Sequence, residues 1–225
     1  MPVSLEIPYN KQPMIISKNK TLKSLFCLFF LSTISFNVFA TNQIKIMLYG
    51  DSLMAGYGLS QNENLSSVLS SKFNLGESKV QIINASVSGN TSSNGLARLD
   101  WSLEDKPNIV ILCLGANDML RGIDPKLTKQ NLNNMIEKML QNGSKIILAG
   151  MRSPDNMGKN YQQKFDLIYQ ELAEEHDVIF MPFLLDGVAL EKDYLQSDFK
   201  HPNALGVKIM ASNLYPYILQ GMSLL

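Results

Sequence analysis

The hydrophobic residues of the chain follow two spacings from residue 44 onward. Short continuous apolar runs are typical of buried strands, whereas apolar residues three and four positions apart are typical of helices. The runs that predict strands span residues 44–49, 80–84, 109–114, 145–149 and 178–181. The helical spacing covers residues 63–73, 96–103, 126–141, 161–175 and 204–219. Strand and helix alternate with short connections, so the sequence predicts a three-layer α/β/α fold with a five-stranded parallel sheet.

The first 40 residues differ from this pattern. Lys18, Lys20 and Lys23 precede a short apolar run at residues 25–31, and the small residue Ala40 closes the segment. A basic segment, a short apolar segment and a small residue before the cut are the features of a secretory signal peptide. The apolar run is also shorter than the ~20 residues that a spanning helix needs.

These features predict a signal peptide at residues 1–40 and one mature domain at residues 41–225. A chain of 225 residues can bury one good core and is short for two full domains. We expect export to the periplasm or secretion, with no stable membrane span after cleavage. An uncleaved N-terminal anchor is the alternative, and translation could begin at Met1 or at Met14.

The charge balance argues against a polyanionic partner. The chain carries 20 Lys and Arg and 20 Asp and Glu, and loss of residues 1–40 leaves 16 basic and 19 acidic side chains. A mildly acidic domain does not favour nucleic acid. Its single cysteine, Cys113, lies in an apolar run, where a buried thiol is expected. An exported chain without disulfides suits the bacterial periplasm, and we expect a monomer.

Polar clusters follow the predicted strands at four places. They are Gly-Asp-Ser at 50–52, Ser-Gly-Asn at 88–90, Gly-Ala-Asn-Asp at 115–118 and Asp-Phe-Lys-His-Pro-Asn at 198–203. In an open parallel sheet the carboxyl ends of the strands lie at one edge, where such folds bind their ligands. The sequence therefore predicts that the four clusters converge on one site.

Ser52 is the candidate nucleophile of this site, and serine attack needs a base and a group that orients the base. The mature chain has two histidines. A capping or surface role is favoured for His176, which lies near the end of a predicted helix. His201 follows Asp198 by three residues, so a tight turn would let the carboxylate accept from Nδ1–H while Nε2 faces Ser52.

The same clusters contain candidate donors for an oxyanion. The backbone N–H of Ser52 opens a predicted helix, Gly89 offers an unobstructed backbone N–H, and Asn117 offers its side-chain amide. For three other polar residues of these loops, holding the loops together is favoured over direct catalysis: Asp51, Asn84 and Asp118.

Four motifs together resemble, in order and spacing, the blocks of the SGNH (GDSL) hydrolase family. They are Gly50-Asp51-Ser52-Leu53, Gly89 within Ser-Gly-Asn-Thr-Ser, Gly115-x-Asn117-Asp118 and Asp198-x-x-His201. The resemblance covers essentially the whole mature chain. It looks closest to small periplasmic bacterial enzymes that act as acyl-CoA thioesterase, arylesterase and lysophospholipase. It implies a flavodoxin-like fold and a serine esterase that uses neither a cofactor nor a metal.

By this resemblance Ser52 is the nucleophile, His201 the base and Asp198 its orienter, while Ser52, Gly89 and Asn117 form the oxyanion hole. The implied partner is a small-molecule acyl ester or thioester. Two departures are found where the family subgroup commonly has glycine: Ala116 and the pair Phe199-Lys200. Neither removes a catalytic atom, but both could reshape the acyl entrance.

Apolar side chains near the strand ends are the candidate substrate contacts: Met119, Leu120, Ile123 and Met151. A shallow groove of such side chains discriminates poorly, since one methylene is worth only ~1 to 3 kcal/mol, and broad ester specificity is expected. The alternative is that Met119 and Leu120 simply cap the core.

Three other functions stay open at this point. A carbohydrate O-deacetylase would use the same chemistry on short acyl groups. A Mg²⁺-dependent phosphohydrolase is the candidate from another class, because Asp51, Asp118 and Asp198 fall on one predicted edge and hard cations favour oxygen ligands. The third is a binding module without catalytic activity, in which Ser52, Asn117 and His201 would have no common role.

Overall fold

The five apolar runs form one parallel sheet in the computed structural model, which describes residue 8 and residues 43–73 and 80–225. The strands are β1 (Ile44–Gly50), β2 (Val80–Asn84), β3 (Ile109–Cys113), β4 (Lys145–Ala149) and β5 (Ile179–Met181). Their spatial order is β2-β1-β3-β4-β5, so β1 and β3 lie side by side in the interior. The predicted signal peptide lies outside the described residues, apart from residue 8.

Helices cover both faces of the sheet. They are α1 (Ser52–Ala55), α2 (Leu65–Phe73), α3 (Ser92–Leu103), α4 (Ala116–Leu120), α5 (Pro125–Gln141), α6 (Lys159–His176) and α7 (Ala204–Met222). Helices α2 and α7 pack together on one face, and α3, α5 and α6 pack side by side on the other. The predicted three-layer α/β/α fold is confirmed. None of the helices in the described part of the chain is both long enough and apolar enough to cross a membrane.

The ends of several elements differ from those that the hydrophobic spacing predicts. The fifth strand begins one residue later than predicted, because the Val178 N–H closes the end of α6 by donating to the Ala173 carbonyl at 3.1 Å. Helix α4 was not predicted, since five residues are too few to show a helical period. Helix α7 continues through Pro216 to Met222, beyond the predicted end at residue 219.

The register of the two central strands sets the position of the functional loops. Gly50 at the end of β1 pairs with Cys113 at the end of β3, so the chain leaves both strands at the same edge. Every residue of β3 is buried, as expected for a parallel strand that is covered on both faces. Burial raises the pKa of the Cys113 thiol well above its ordinary value, in agreement with the predicted inert thiol.

Candidate active site

Ser52 lies at the first position of the short helix α1. Asp51 caps this helix, because its Oδ1 accepts a hydrogen bond from the Leu53 N–H at 3.1 Å. The chain leaves the helix at Gly56, where φ is +84°. Among the described residues, no hydrogen-bond acceptor is found for the Ser52 N–H. The half-buried Ser52 therefore presents both its hydroxyl and a backbone donor at the carboxyl edge of the sheet.

His201 lies against Ser52 although 149 positions separate them in the chain. The Nε2 atom of His201 is 2.9 Å from Ser52 Oγ, and its Nδ1 atom is 2.5 Å from Asp198 Oδ2. Asp198 Oδ1 accepts from the backbone N–H groups of Lys200 and His201, each at 3.0 Å. This contact geometry lets the imidazole take a proton from Ser52 while the carboxylate holds the opposite ring nitrogen.

Hydrogen bonding also sets the charge of Asp198. Its bond with the His201 ring, followed by the backbone N–H groups of His201 and Lys200, holds the pKa of the carboxyl group well below its usual range. The Asp198 side chain is 38% exposed and that of His201 is 21% exposed. The carboxylate is therefore ionised at neutral pH and available to stabilise an imidazolium.

Tyr57 packs against the His201 ring, a contact that the sequence did not predict. The ring centroids are 4.5 Å apart. Gln196 holds this arrangement by donating from Nε2 to the carbonyl of Tyr57 at 2.7 Å and to that of Pro202 at 2.9 Å. In the sequence, Tyr57 lies within Gly56-Tyr57-Gly58, which resembles a fragment of a dinucleotide-binding motif. This local pattern does not indicate a contact with a histidine far along the chain.

Gly89 lies in the loop after β2, close in the chain to Val87, whose N–H donates to the Gly50 carbonyl at 3.0 Å. The φ of Gly89 is +80°, and a Cβ built there would meet no atom within 4 Å, so space is left in front of the backbone. In the described chain its N–H has no hydrogen-bond acceptor. Arg121 donates to the Gly89 carbonyl at 3.0 Å and thereby connects this loop to the end of α4. A backbone N–H without an acceptor in the protein is what an oxyanion donor requires.

The side chain of Asn117 is half-buried and held at both hydrogens of its amide. Nδ2 donates to Asp51 Oδ2 at 3.2 Å and to the Asn90 carbonyl at 3.1 Å. The turn before it needs Gly115, where φ is +117° and a Cβ would lie 2.3 Å from the Tyr169 hydroxyl. Three of the predicted clusters, those of Ser52, Gly89 and Asn117, therefore meet through direct contacts.

Arg98 anchors the loop that carries Gly89 and was not identified from the sequence as a site residue. Its Nε donates to Asn90 Oδ1 at 2.7 Å, and its Nη1 donates to the Ala85 carbonyl at 2.6 Å. The guanidinium carbon lies 4.2 Å from the centroid of the Tyr49 ring. The partners of Arg98 thus come from β1 and from the loop after β2, which explains why a local pattern could not reveal its role.

The three carboxylates considered for a metal do not converge. The buried Asp118 accepts from the N–H and hydroxyl of Ser92 at 2.7 and 2.5 Å. Asp51 instead accepts from the Leu53 N–H and the Asn117 amide, and Asp198 contacts the His201 ring. In the part of the chain that the structure describes, no three His, Cys, Asp or Glu side chains are grouped so that they could hold a metal ion. Asp51 and Asp118 hold the loops together, as was favoured from the sequence.

Asn84 has the favoured structural role as well. Its Nδ2 lies 3.4 Å from the carbonyls of Met54 and Ala55, and its Oδ1 accepts from the Ser86 N–H at 3.1 Å. His176 contacts Asn133 at 2.7 Å. It lies at the end of α6, where the chain enters the amino end of β5, so it cannot reach Ser52 at the opposite edge.

The candidate substrate contacts fall into two groups. Met119 and Met151 are 6% and 5% exposed and belong to the hydrophobic core, so the structure favours a packing role for both. Leu120 is 60% exposed, and Ile123 is half-buried. The Ile123 carbonyl accepts from the Tyr161 hydroxyl at 2.9 Å. Leu120 and Ile123 are thus the two of the four candidates that a substrate can contact.

A cleft of about 460 Å³ begins directly beyond Ile123. Its walls combine the start of α5 with the segment that leads into α6, and they include Asp124, Met157, Tyr161 and Lys164. Ser52 and His201 do not line it. The catalytic candidates therefore lie outside this cleft.

Burial makes Asp51 electrostatically unusual. The side chain is 1% exposed, and desolvation raises the pKa of Asp51 from 3.8 to about 6, although hydrogen bonds from Leu53 and Asn117 act in the opposite direction. A carboxyl group whose pKa is higher in the folded state binds its proton more tightly there. Its contribution to stability therefore increases as the pH falls through about 6 toward 3.8.

We expect the free energy of unfolding of the wild type, relative to that of Asp51→Asn, to rise by up to about 3 kcal/mol as the pH falls from about 7 to about 4. Urea denaturation of both proteins across this range measures the difference. Asn does not titrate, so the subtraction removes the contributions of Asp198 and of all other shared groups. A relative stability that stays constant or falls on acidification would contradict the prediction.

Known proteins match this chain over most of its length. Residues 48–209 match the profile of the GDSL-like Lipase/Acylhydrolase family. The chain is 38% identical over 175 residues to thioesterase 1/protease 1/lysophospholipase L1 of Escherichia coli (strain K12), covering 77% of this chain and 82% of that protein. It is 39% identical over 159 residues to an arylesterase of Vibrio mimicus, covering 70% and 80%.

The structure is also similar to solved structures. One is the psychrotrophic esterase EstA from Pseudoalteromonas sp., in a form inhibited by monoethylphosphonate. The TM-score is 0.77 and the sequence identity 32%, and the match covers 80% of this chain and 100% of that one.

Proposed function

Because the chain belongs to the GDSL-like lipase/acylhydrolase family, as its four motifs predicted, we propose that it hydrolyses carboxylic esters and thioesters through an acyl-enzyme on Ser52. The matched proteins named thioesterase, lysophospholipase and arylesterase support hydrolysis of ester bonds. The observation that carries the serine mechanism is the 2.9 Å contact between His201 Nε2 and Ser52 Oγ, with Asp198 on the other ring nitrogen.

In the acylation step, Ser52 Oγ attacks the carbonyl carbon of the substrate and gives its proton to His201 Nε2. The carbonyl oxygen becomes an oxyanion, which the backbone N–H groups of Ser52 and Gly89 and the amide of Asn117 stabilise. Each such donor typically supplies ~3 kcal/mol of transition-state stabilisation. Collapse of the intermediate breaks the bond to the alcohol or thiol, which leaves with the proton from His201.

Deacylation repeats these steps with water. His201 Nε2 takes a proton from the water, whose oxygen attacks the acyl carbon and forms a second oxyanion at the same donors. Breakdown returns the proton from His201 to Ser52 Oγ and releases the carboxylic acid. Throughout, the ionised Asp198 accepts from Nδ1–H and stabilises the imidazolium that forms twice in each turnover.

We expect the site to accept a broad range of acyl groups. Leu120 and Ile123 offer apolar contact to an aliphatic chain. A few apolar side chains distinguish neighbouring chain lengths weakly, since one methylene is worth only ~1 to 3 kcal/mol. A carbohydrate O-deacetylase of the same family is the second candidate and would prefer the shortest acyl group.

The purified protein, assayed with p-nitrophenyl esters from acetyl to palmitoyl and with acyl-CoA thioesters, tests this proposal. We expect turnover of several chain lengths that is unchanged by EDTA, because the triad supplies every proton transfer. Activity confined to acetyl esters would favour the deacetylase. Loss of turnover in EDTA, regained on addition of Mg²⁺, would contradict the serine mechanism.

A further inference from the structure

The orientation of the Asn117 amide depends on a buried carboxylate. An asparagine side chain has a donor end and an acceptor end of nearly the same shape, and only the NH₂ end can stabilise an oxyanion. We propose that Asp51 is a positioning residue, whose carboxylate fixes the Asn117 amide with its NH₂ group toward the reacting carbonyl. This inference rests on the proposed serine esterase mechanism.

The chemistry of the carboxylate makes the orientation one-sided. Ionised Asp51 can only accept hydrogen bonds, and its Oδ1 is already held by the Leu53 N–H at 3.1 Å. The remaining oxygen, Oδ2, lies 3.2 Å from Asn117 Nδ2. With the amide reversed, Asn117 Oδ1 would face this carboxylate and the Asn90 carbonyl, which are both acceptors. Because Asp51 is only 1% exposed, little water is available to relieve the repulsion between these acceptors.

The second hydrogen of the amide has a different kind of partner. It is donated to the backbone carbonyl of Asn90 at 3.1 Å, and Asn90 directly follows the oxyanion candidate Gly89. When an oxyanion forms, this hydrogen can turn from the Asn90 carbonyl to the developing charge, while the bond to Asp51 is retained. The hydrogen bond from Arg98 to Asn90 Oδ1, 2.7 Å long, keeps the loop in place during the exchange.

Helix capping does not account for a carboxylate at this position. Ser and Asn cap helices about as well as Asp and would not bury a charge. The buried charge has a cost, which is visible in the pKa of Asp51, raised to about 6 by desolvation. A group that only accepts is needed for the contact with Asn117, and neither Ser nor Asn meets that requirement.

The test compares Asp51→Asn, Asp51→Ser and Asn117→Ala with the wild type and combines each Asp51 variant with Asn117→Ala. The Asn side chain keeps the size of Asp but no longer excludes the reversed amide. The Ser side chain keeps the cap at Leu53 but does not reach Asn117. The readouts are kcat and KM for p-nitrophenyl butyrate, with thermal unfolding of each variant followed by circular dichroism.

We expect each Asp51 single variant to lower kcat by about 10²-fold with little change in KM, which is the size of the loss of one oxyanion donor. In the Asn117→Ala background the same substitutions should change kcat by less than about twofold, because residues that act as a unit are not additive. Comparison of Asp51→Asn with Asp51→Ser separates capping from orientation, and either variant suffices if the other does not fold.

Two results would overturn the inference. One is wild-type kcat in a folded Asp51 variant, and the other is an equal loss in both backgrounds, which would mean that Asp51 acts without Asn117. Failure of the proposed function is seen separately, as the absence of ester turnover in the wild type itself.

Discussion

Replacing Ser52 with Ala should lower kcat for ester hydrolysis by about 10⁴-fold or more, the loss typical of a removed serine nucleophile. The hydroxyl lies 2.9 Å from His201 Nε2, and no acyl-enzyme can form without it. Initial rates with p-nitrophenyl butyrate measure this loss. Residual activity above the uncatalysed rate is expected, since the N–H of Gly89 and the amide of Asn117 remain.

A second serine-to-alanine variant serves as the control for a general effect of such a substitution on folding or activity. Ser71→Ala removes an exposed hydroxyl on α2 that donates to the Ser67 carbonyl at 3.0 Å, and it should leave kcat unchanged. A p-nitrophenyl alkylphosphonate should add one phosphonyl group to the wild type and none to Ser52→Ala, as read by intact mass. If Ser52→Ala retained a tenth of the wild-type rate, or was labelled equally, Ser52 would not be the nucleophile.

The second large effect is expected for Asp198→Asn, through the tautomer of His201. The backbone N–H groups of Lys200 and His201, each 3.0 Å from Asp198 Oδ1, would hold the oxygen of the new amide. Its NH₂ group would then face His201 Nδ1, which must become an acceptor. The ring proton moves to Nε2, so the base can no longer accept the proton of Ser52.

We expect this tautomer change to lower kcat by about 10² to 10⁴-fold, since the same change in a protease triad costs ~10⁴ and Asp198 is 38% exposed. The measurement is kcat with p-nitrophenyl butyrate at a pH near 8. Asp193→Asn, an exposed change on the same segment, serves as the control and should retain full activity. A folded Asp198→Asn protein with more than half of the wild-type kcat would contradict the role of Asp198.

The strand ends and a candidate nucleophile could be predicted because their signals are local. Each apolar run is short enough to be a strand, and the rule that parallel strands end at one edge brings Ser52 close to Gly89 and Asn117 without any knowledge of side-chain packing. Asp198 and His201 could be paired for the same reason, since three positions separate them. The two methionines, Met119 and Met151, were harder to place, because an apolar residue beside a strand end suits the core as well as a groove.

Two residues that hold the site together, Arg98 and Gln196, could not be predicted. Arg98 reaches the loop after β2 across the face of Tyr49, and Gln196 connects Tyr57 to the turn of His201. The orientation of the Asn117 amide likewise depends on two acceptors from other loops. None of these contacts leaves a periodic or motif signal, because each joins positions that are distant in the sequence.

The sequence by itself determined the order of strands and helices and the α/β class, and it supplied the candidates for the nucleophile, the base and its partner. The strands, helices and fold class follow from the spacing of hydrophobic residues, which indicates the buried faces. The site candidates follow from short motifs at the strand ends. Only the tertiary structure decided which partners each loop carboxylate binds, which apolar side chains are exposed and which backbone N–H groups have no acceptor in the described chain. Hydrogen-bond partners and exposure are properties of packed neighbours, and the neighbours of a residue are set by the whole fold.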